Sequence, residues 1–366
     1  MHGRRGPYGV LDLPGAMPDD AGMTTWFGAP DAREAVVPAL GEGAAAFHRS
    51  LPGYAPTPLI DLPALAAAFG IRRLVLKDES WRLGLPAFKI LGASWACRQV
   101  HERDPHADFV AATDGNHGRA VARTAAQLGV GATVFVPAVM LPATAAAIAG
   151  EGATVIRVDG DYDTTVRRAA AYAAAAPGRA LIQDTAWPGY TEVPAWIVDG
   201  YRTVLEEVDT ALAVEGGVAD LVVVPVGVGS LAETVVRHYR QPAGPRPRVL
   251  SVEPTSAACL LASLSAGRPV TVPTAATVMA GLNCPTVSAS AWPVLHAGLD
   301  AAVAVEDGAA RSAAEDLAAL GVPVGPCGAA TLAGLRAVAG HPARWAALDL
   351  GPSSVAVLLN TEGQQT

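Results

Sequence analysis

The sequence predicts an α/β protein with two open parallel sheets and a cleft between them. Short runs rich in valine and alanine recur from about residue 74 onward, and longer runs with helical character separate them. Strands that alternate with helices form βαβ units, whose parallel sheets are covered on both faces. The length of 366 residues is enough for two domains. We expect a large domain from residues 1–92 and 201–366 and a smaller inserted α/β domain from residues 93–200.

Composition and charge exclude several classes of function. The chain is 51% hydrophobic and 16% charged, as globular proteins are. Its formal net charge of −8 disfavours a nucleic-acid binder, which would carry a basic surface. No apolar run is long enough for a membrane span, and the N-terminus lacks the apolar core of a signal peptide. We therefore expect a cytoplasmic protein with no nucleic-acid or membrane partner.

The individual elements are predicted from apolar runs and their flanking residues. An N-terminal arm with one helix at 32–46 precedes a proline-rich extended connector at 54–63. Strands are predicted at 74–77, 108–112, 132–136, 154–158, 180–183, 220–226, 248–253, 301–305 and 353–359. Helices are predicted at 92–104, 118–128, 142–149, 162–175, 194–214, 231–240, 309–320 and 329–339.

Lys89 is the first candidate for chemistry. It follows Phe88 and precedes an alanine-rich helix, so its ammonium group has apolar neighbours. Burial lowers the pKa of a lysine and makes the free amine available as a nucleophile. An enzyme that holds an aldehyde cofactor as a Schiff base needs such a lysine. The alternative is a surface lysine whose apolar stem alone is covered.

Three polar, glycine-bearing segments follow predicted strands. They are ATDGNHG at 112–118, QDTAWPGY at 183–190 and PVGVGSL at 225–231. In open parallel sheets, ligands bind outside the carboxyl ends of the strands. We therefore expect the three segments to form one shared site.

The third segment suits a phosphate group. Gly227, Gly229 and Ser230 lie between a buried strand and a helix, where backbone amides and the positive helix end attract an anion. A rival interpretation is dinucleotide binding, because Gly227, Gly229 and Ala232 with Glu253 loosely match that fingerprint. Against it, this turn comes late in the chain and lacks the third glycine. A tight turn without a ligand is the remaining alternative.

The first two segments supply polar side chains for a substrate. Asn116 can exchange hydrogen bonds with an aromatic hydroxyl group, and Gly115 lets the backbone approach a ligand closely. If Asp114 and Asp184 flank one substrate carbon, their pKa values would divide the proton transfers between them. Each has a structural alternative, since Asp and Asn also cap helices and turns. His117 alone is more often a structural histidine than a base.

The cysteines carry little functional signal. Cys97, Cys259, Cys284 and Cys327 form no CxxC pair, and no His or Cys cluster has zinc spacing. We expect the four cysteines to be buried and to pack as small apolar side chains, and we expect no metal site. A Cys259–Cys284 pair stays open.

With these residues established, the chain resembles the fold-type II pyridoxal-phosphate enzymes of the tryptophan synthase β-like family. Within that family it looks most like the diaminopropionate ammonia-lyases. The matching segments run in family order over nearly the whole chain: PTPL (56–59), KDES (77–80), LGLPAFKILGAS (83–94), ATDGNHGRAVA (112–122), QDTAWPGYTEVPAWIVDGY (183–201), PVGVGS (225–230), VEP with Cys259, MAGL (279–282), CGAATL (327–332) and NTEG (360–363).

The resemblance implies that pyridoxal 5'-phosphate is the cofactor and that Lys89 holds it as a Schiff base. Phe88 would pack beside it and Asn116 would bind its hydroxyl group. The phosphate would lie in the turn formed by Gly227, Val228, Gly229, Ser230 and Leu231. The cofactor's pyridine nitrogen would lie near Asn360 and Thr361. Asn360 departs from the serine usual in the lyases, which leaves the partner of that nitrogen open.

Asp114 distinguishes the subgroups of the family. Hydroxyamino-acid dehydratases typically carry serine there, whereas in the lyases the equivalents of Asp114 and Asp184 take the proton of the D- and L-substrates. Lys77 is then a second cation and a candidate proton carrier, or else a surface lysine at a strand end. The substrate-binding residues implied are Thr113, Asp114, Gly115 and His117.

The function that the resemblance implies is β-elimination of ammonia from 2,3-diaminopropionate, giving pyruvate and a second ammonia. It also implies a homodimer. The alternative is elimination or β-replacement on another β-substituted amino acid, as in serine and threonine dehydratases or a biosynthetic relative. More distant alternatives are a non-catalytic α/β binding protein and a dinucleotide-binding one.

Overall fold

A computed structural model of the chain describes residues 25–113 and 115–364. Its strands are β1 (Trp26–Gly28), β2 (Leu59–Asp61), β3 (Arg73–Asp78), β4 (Asp108–Ala112), β5 (Ala132–Pro137), β6 (Thr154–Val158), β7 (Arg179–Leu181), β8 (Leu221–Pro225), β9 (Arg248–Pro254), β10 (Ala301–Val305) and β11 (Val355–Asn360). Its α-helices are α1 (Ala44–Ser50), α2 (Pro63–Phe69), α3 (Lys89–Arg103), α4 (Asn116–Leu128), α5 (Pro142–Gly150), α6 (Tyr162–Ala174), α7 (Glu192–Val214), α8 (Ser230–Tyr239), α9 (Cys259–Ala266), α10 (Ala291–Gly298), α11 (Asp307–Ala319), α12 (Pro326–Ala339) and α13 (Pro342–Ala347).

Two sheets organise these elements. The larger has seven strands in the order β1-β10-β9-β8-β11-β3-β2, and the smaller has four in the order β6-β5-β4-β7. All pairings in the smaller sheet are parallel. The larger sheet is parallel at its centre, while β1 and β2 add antiparallel edges. The prediction of two parallel sheets is thus confirmed for their interior strands, but it did not include the antiparallel edge strands of the larger sheet.

Most predicted strands and helices lie within two or three residues of the observed ones. The smaller sheet falls within residues 93–200, and a separate domain with those boundaries stays a prediction. The helix predicted at 32–46 is wrong, because only a short 3-10 turn at Pro30–Glu34 and α1 are helical there. Pro38 interrupts the run, and Gly43 has a left-handed backbone (φ +98°) that ends any continuous helix. The short elements β1, β2, α2, α9, α10 and α13 were not predicted.

Valine, leucine and alanine side chains form the core on both faces of the sheets. Central strands such as β8 and β11 are buried at every residue. Strands covered on both faces have no solvent side, so they show a continuous apolar run and no alternation. No helix in the part of the chain that the structure describes is long and apolar enough to cross a membrane.

The helices α3 and α7 cross in close contact, and this crossing positions the site. A Cβ atom built on Gly200 would lie 2.7 Å from the Cα of Gly92, so only glycine fits at the crossing. One residue further along α7, Tyr201 is buried, and its ring packs in a tilted arrangement against that of Phe88, with 4.6 Å between the ring centroids. The crossing therefore fixes the start of α3, where Lys89 lies, against an aromatic wall.

Candidate active site

One cavity gathers the carboxyl ends of strands from both sheets. The smaller sheet contributes residues that follow β4 and β7, and the larger sheet contributes residues that follow β8 and β11. All three segments predicted to share a site lie against it. The predicted residues that line it are Phe88, Lys89, Thr113, Gly115, Asn116, His117, Asp184, Gly227, Val228, Gly229, Ser230, Leu231 and Thr361. Asp114 lies outside the described residues.

Lys89 extends into this cavity and forms an ion pair. Its Nζ atom lies 2.7 Å from Oδ2 of Asp184 and 5.2 Å from the centre of the Phe88 ring. Burial alone would lower the pKa of Lys89, but the negative charge of Asp184 outweighs it and raises that pKa. The lowered lysine pKa expected from the apolar neighbours is therefore wrong for the ligand-free protein, because sequence neighbours do not reveal a carboxylate 95 residues away.

Asp184 is the acidic partner of that pair and is almost completely buried. Burial would raise the pKa of its carboxyl group, whereas the Lys89 ammonium, at hydrogen-bond distance, holds it at about 2. The carboxylate is therefore ionised at neutral pH and faces the space in which a ligand of Lys89 would lie. Its backbone carbonyl accepts a hydrogen bond from the Ser230 hydroxyl group at 2.6 Å, which ties it to the 227–231 turn.

His117 presents an acceptor atom to the same space. Its Nε2 atom lies 2.8 Å from the carbonyl oxygen of Ile182, and a carbonyl only accepts, so Nε2 carries the hydrogen. Its Nδ1 atom has no hydrogen-bond partner among the described residues and lies 4.0 Å from Asp184 Oδ2. Burial lowers the pKa of His117. A neutral ring of this tautomer offers a lone pair beside the carboxylate.

The turn at 227–231 has the geometry of an anion site. Gly229 precedes α8 with a left-handed backbone (φ +98°), and the first amides of a helix have no acceptor within that helix. A Cβ atom on Gly227 would lie 2.9 Å from the carbonyl oxygen of Gly281, so the turn is closed on its other side. These amides and the helix dipole favour a phosphate at this place.

The rival dinucleotide interpretation is not supported at Glu253. Its side chain is fully buried, and its two carboxylate oxygens accept the backbone amides of Leu260 and Leu261 at 2.8 Å each. It therefore caps α9 and does not face the cavity, where a ribose would need it.

Asn116 and Glu362 connect the two sheets across the cavity. Asn116 starts α4, and its Nδ2 atom donates to Oε2 of Glu362 at 2.9 Å. Thr113 supports this end of α4, because its hydroxyl oxygen accepts the amides of Gly115 and Gly118. Thr113 thus caps the helix, and any contact that it makes with a substrate would come in addition to this capping role.

Two predicted site residues, Lys77 and Asn360, do not line the cavity. Lys77 is buried with its Nζ atom 2.5 Å from Glu207 Oε2, within an ion network that includes Arg82 and Glu79. It is thus neither a surface lysine nor a group placed to carry protons in the cavity. Asn360 is buried too and donates from Nδ2 to Asp78 at 2.8 Å, while the following Thr361 reaches the cavity.

Sequence reasoning missed several lining residues, most of all Glu362. This carboxyl group follows the last strand, so the rule that polar residues at strand ends form the site would have identified it. Tyr162, Cys284 and Cys327 also line the cavity. Cys327 begins the family-matching segment CGAATL without having been named as a site residue, and no pattern in the sequence marks the other two. All four cysteines are buried, and Cys259 and Cys284 are not joined in a disulfide.

Comparisons with known proteins agree with this geometry. A family model described as "Pyridoxal-phosphate dependent enzyme" matches residues 50–358. Diaminopropionate ammonia-lyase of Escherichia coli K12 is 34% identical over 348 residues, which cover 87% of this chain and 86% of the relative. The enzyme of the same name from Salmonella typhimurium is 36% identical over 295 residues, 73% of each chain. The crystal structure of the Escherichia coli enzyme with an aminoacrylate–PLP azomethine reaction intermediate superposes with a TM-score of 0.80 at 34% identity, covering 88% of both chains.

The residues of the cavity fit pyridoxal phosphate. Lys89 supplies a primary amine for the aldehyde, and Phe88 with Tyr201 supplies an aromatic wall within 5.9 Å of its Nζ atom. The 227–231 turn supplies unsatisfied amides for the phosphate. Together with the family match over most of the chain, this fit shows that the protein belongs to the pyridoxal-phosphate-dependent enzyme family and has its fold-type II architecture.

Proposed function

We propose that this chain is a diaminopropionate ammonia-lyase, which eliminates the β-amino group of 2,3-diaminopropionate and releases pyruvate and two molecules of ammonia. The observation that carries the proposal is the Lys89–Asp184 pair, 2.7 Å apart in a cavity with a phosphate-type turn. It is supported by relatives of that name that are 34–36% identical over most of the chain.

The chain's own residues would hold the cofactor. Lys89 would bind its aldehyde carbon, the amides of 227–231 its phosphate, and Asn116 its ring oxygen, with Phe88 packed beside it. When bound, pyridoxal phosphate supplies an electron sink that stabilises negative charge at the α-carbon of an amino acid. Thr361, which lines the cavity, would lie near the pyridine nitrogen.

Asp184 would take the α-proton of the L-substrate. Its pKa is about 2 while the Lys89 ammonium lies beside it. Once the Lys89 nitrogen no longer carries that charge, burial dominates and the pKa of Asp184 rises toward the range of a general base. The pair therefore holds the carboxylate ionised until the site is loaded. We assign the D-substrate to Asp114, on the resemblance to the lyases alone.

The same acceptors suit a substrate that carries two ammonium groups. Asp184 supplies a negative charge, and the Nδ1 atom of His117 supplies a buried lone pair 4.0 Å from it. As the substrate enters, a β-ammonium group can donate to both, whereas the hydroxyl group of serine carries no charge to pair with the carboxylate. The site should therefore favour diaminopropionate over serine and threonine.

We further propose a homodimer in the cytoplasm. Closed two-fold dimers are the commonest oligomers, and none of the helices between residues 25 and 364 that the structure describes could span a membrane. Light scattering after gel filtration would test the dimer: a mass of about one chain would contradict it.

Release of pyruvate and ammonia from L- and D-diaminopropionate tests the proposed activity. We expect a kcat/KM on the order of 10²-fold above that for L-serine or L-threonine, with two ammonia per pyruvate and no product from Lys89→Ala. Turnover of serine or threonine alone would support a dehydratase. An amino-acid product in place of pyruvate, formed with an added nucleophile, would support β-replacement.

A further inference from the structure

Glu362 is a buried carboxyl group that has no role in the proposed mechanism. It lies one residue beyond Thr361 at the end of β11 and is 5% exposed. The backbone here runs antiparallel to the residues before Lys89: Phe88 donates to the carbonyl of Thr361 at 3.2 Å, and Gly363 donates to that of Pro86 at 3.0 Å. This pairing fixes the side chain of Glu362 toward the cavity.

The groups around Glu362 are hydrogen-bond donors. Its Oε2 atom accepts from Asn116 Nδ2 at 2.9 Å, and the thiol and backbone amide of Cys327 also bond to it. Burial raises the pKa of Glu362, while these donors and the charge of Lys89 oppose the rise. In this arrangement Oε2 of Glu362 is the acceptor for the Asn116 amide.

An acceptor at this position restricts the amide of Asn116. An asparagine amide can face a neighbour with its oxygen or with its nitrogen, and a carboxylate accepts only the nitrogen. The Nδ2 atom carries two hydrogens, so one binds Glu362 and the second stays available to a ligand in the cavity that Asn116 lines. The amide oxygen is turned away from Glu362.

We propose that Glu362 is a positioning residue that orients the Asn116 amide so that it donates, and does not accept, toward the ring oxygen of the cofactor. This inference rests on the proposed function, because it needs pyridoxal phosphate on Lys89. An N–H donor stabilises the ionised ring oxygen of the bound cofactor. Glutamine in place of Glu362 can donate to the oxygen of Asn116 and release the amide to turn.

The visible spectrum of the cofactor-loaded protein tests the orientation directly. In Glu362→Gln the ratio of visible to near-ultraviolet absorbance should fall about tenfold, as for the loss of one hydrogen bond to a charged group, since the neutral ring oxygen absorbs at shorter wavelength. Asn116→Ala should show the same fall. The double variant should match Asn116→Ala alone, because Glu362 acts through Asn116.

Controls separate orientation from damage to the fold. Glu315→Gln on the exposed face of α11 makes the same chemical change and should leave the spectrum unaltered. If Glu362→Gln fails to fold, Glu362→Asp, which withdraws the carboxylate by one methylene, should shift the ratio in the same direction. A wild-type ratio in a folded Glu362 variant, or additive effects in the double variant, would overturn the inference alone. A wild-type protein without a visible band would overturn the proposed function as well.

Discussion

Replacing Asp184 with asparagine should have opposite effects on cofactor loading and on turnover. The substitution removes the negative charge that lies 2.7 Å from Lys89 Nζ and keeps the size of the side chain. Because Asp184 is the largest of the influences that raise the pKa of Lys89, its loss should leave burial as the main influence and lower that pKa. More of the lysine would then be the free amine that attacks an aldehyde.

The size of the effect follows from the separation of the charges. Two unit charges 2.7 Å apart attract by about 6 kcal/mol at an effective dielectric constant of about 20. The Lys89 side chain keeps 24% exposure to the cavity, so we take about half, ~3 kcal/mol, after screening. That corresponds to about 2 pKa units, or on the order of 10²-fold more amine at neutral pH.

Stopped-flow absorbance with the ligand-free protein and pyridoxal phosphate measures the loading rate. In the wild type the rate should rise about tenfold per pH unit from pH 6 to 9, because the amine is the minor form there. In Asp184→Asn the same profile should lie about 2 pH units lower. Pyruvate formation from L-diaminopropionate should fall 10²–10⁴-fold at the same time, as for loss of a general base.

Loading of Asp184→Asn at or below the wild-type rate would refute the assignment of the ion pair as the control on Lys89. Lys89→Ala supplies the blank for both assays.

Three further predictions concern stability. Burial raises the pKa of Glu253 to about 8 from its ordinary 4.5, so the stability that this residue contributes is present below pH 4.5 and lost as the pH rises through 8. The unfolding free energy of the wild type, measured relative to that of Glu253→Gln, should therefore fall over this range. A difference between the two proteins that does not change with pH would contradict this. Gly334→Ala would place a Cβ atom 2.3 Å from Val252 Cγ2, which should lower the free energy of unfolding in urea by about 1–3 kcal/mol. An unchanged midpoint of urea unfolding would be evidence against the close packing of α12 on the sheet. Glu207→Gln leaves the buried Arg82 without its full charge partner and should cost about 3–5 kcal/mol in urea unfolding, with a loss below 1 kcal/mol counting against the network.

The sequence could predict the fold because the long central strands and helices have unambiguous patterns. The run 301–305 is apolar throughout and the run 108–112 is apolar after Asp108, and the bounds of both match the structure. Short edge strands are different: β1 has three residues, and its place is decided by pairing with β10, which is distant in sequence. The three-segment site was predictable for the reason that the carboxyl ends of parallel strands converge.

The charges of the site could not be predicted in the same way. The pKa of Lys89 depends on Asp184, and the location of Lys77 depends on Glu207, 130 residues away. Both are tertiary contacts that no local pattern encodes. Asn360 illustrates the same limit, since its position at the strand end is local but the direction of its side chain is set by Asp78.

Lysine modification tests the central claim most directly. The chain contains two lysines, Lys77 and Lys89, and the structure buries the first in an ion network and opens the second to the cavity. Borohydride reduction of the cofactor-loaded protein, followed by digestion and mass spectrometry, should place one phosphopyridoxyl group on the peptide with Lys89 and none on Lys89→Ala. A group on Lys77, or no modified peptide from a protein saturated with pyridoxal phosphate, would contradict the account.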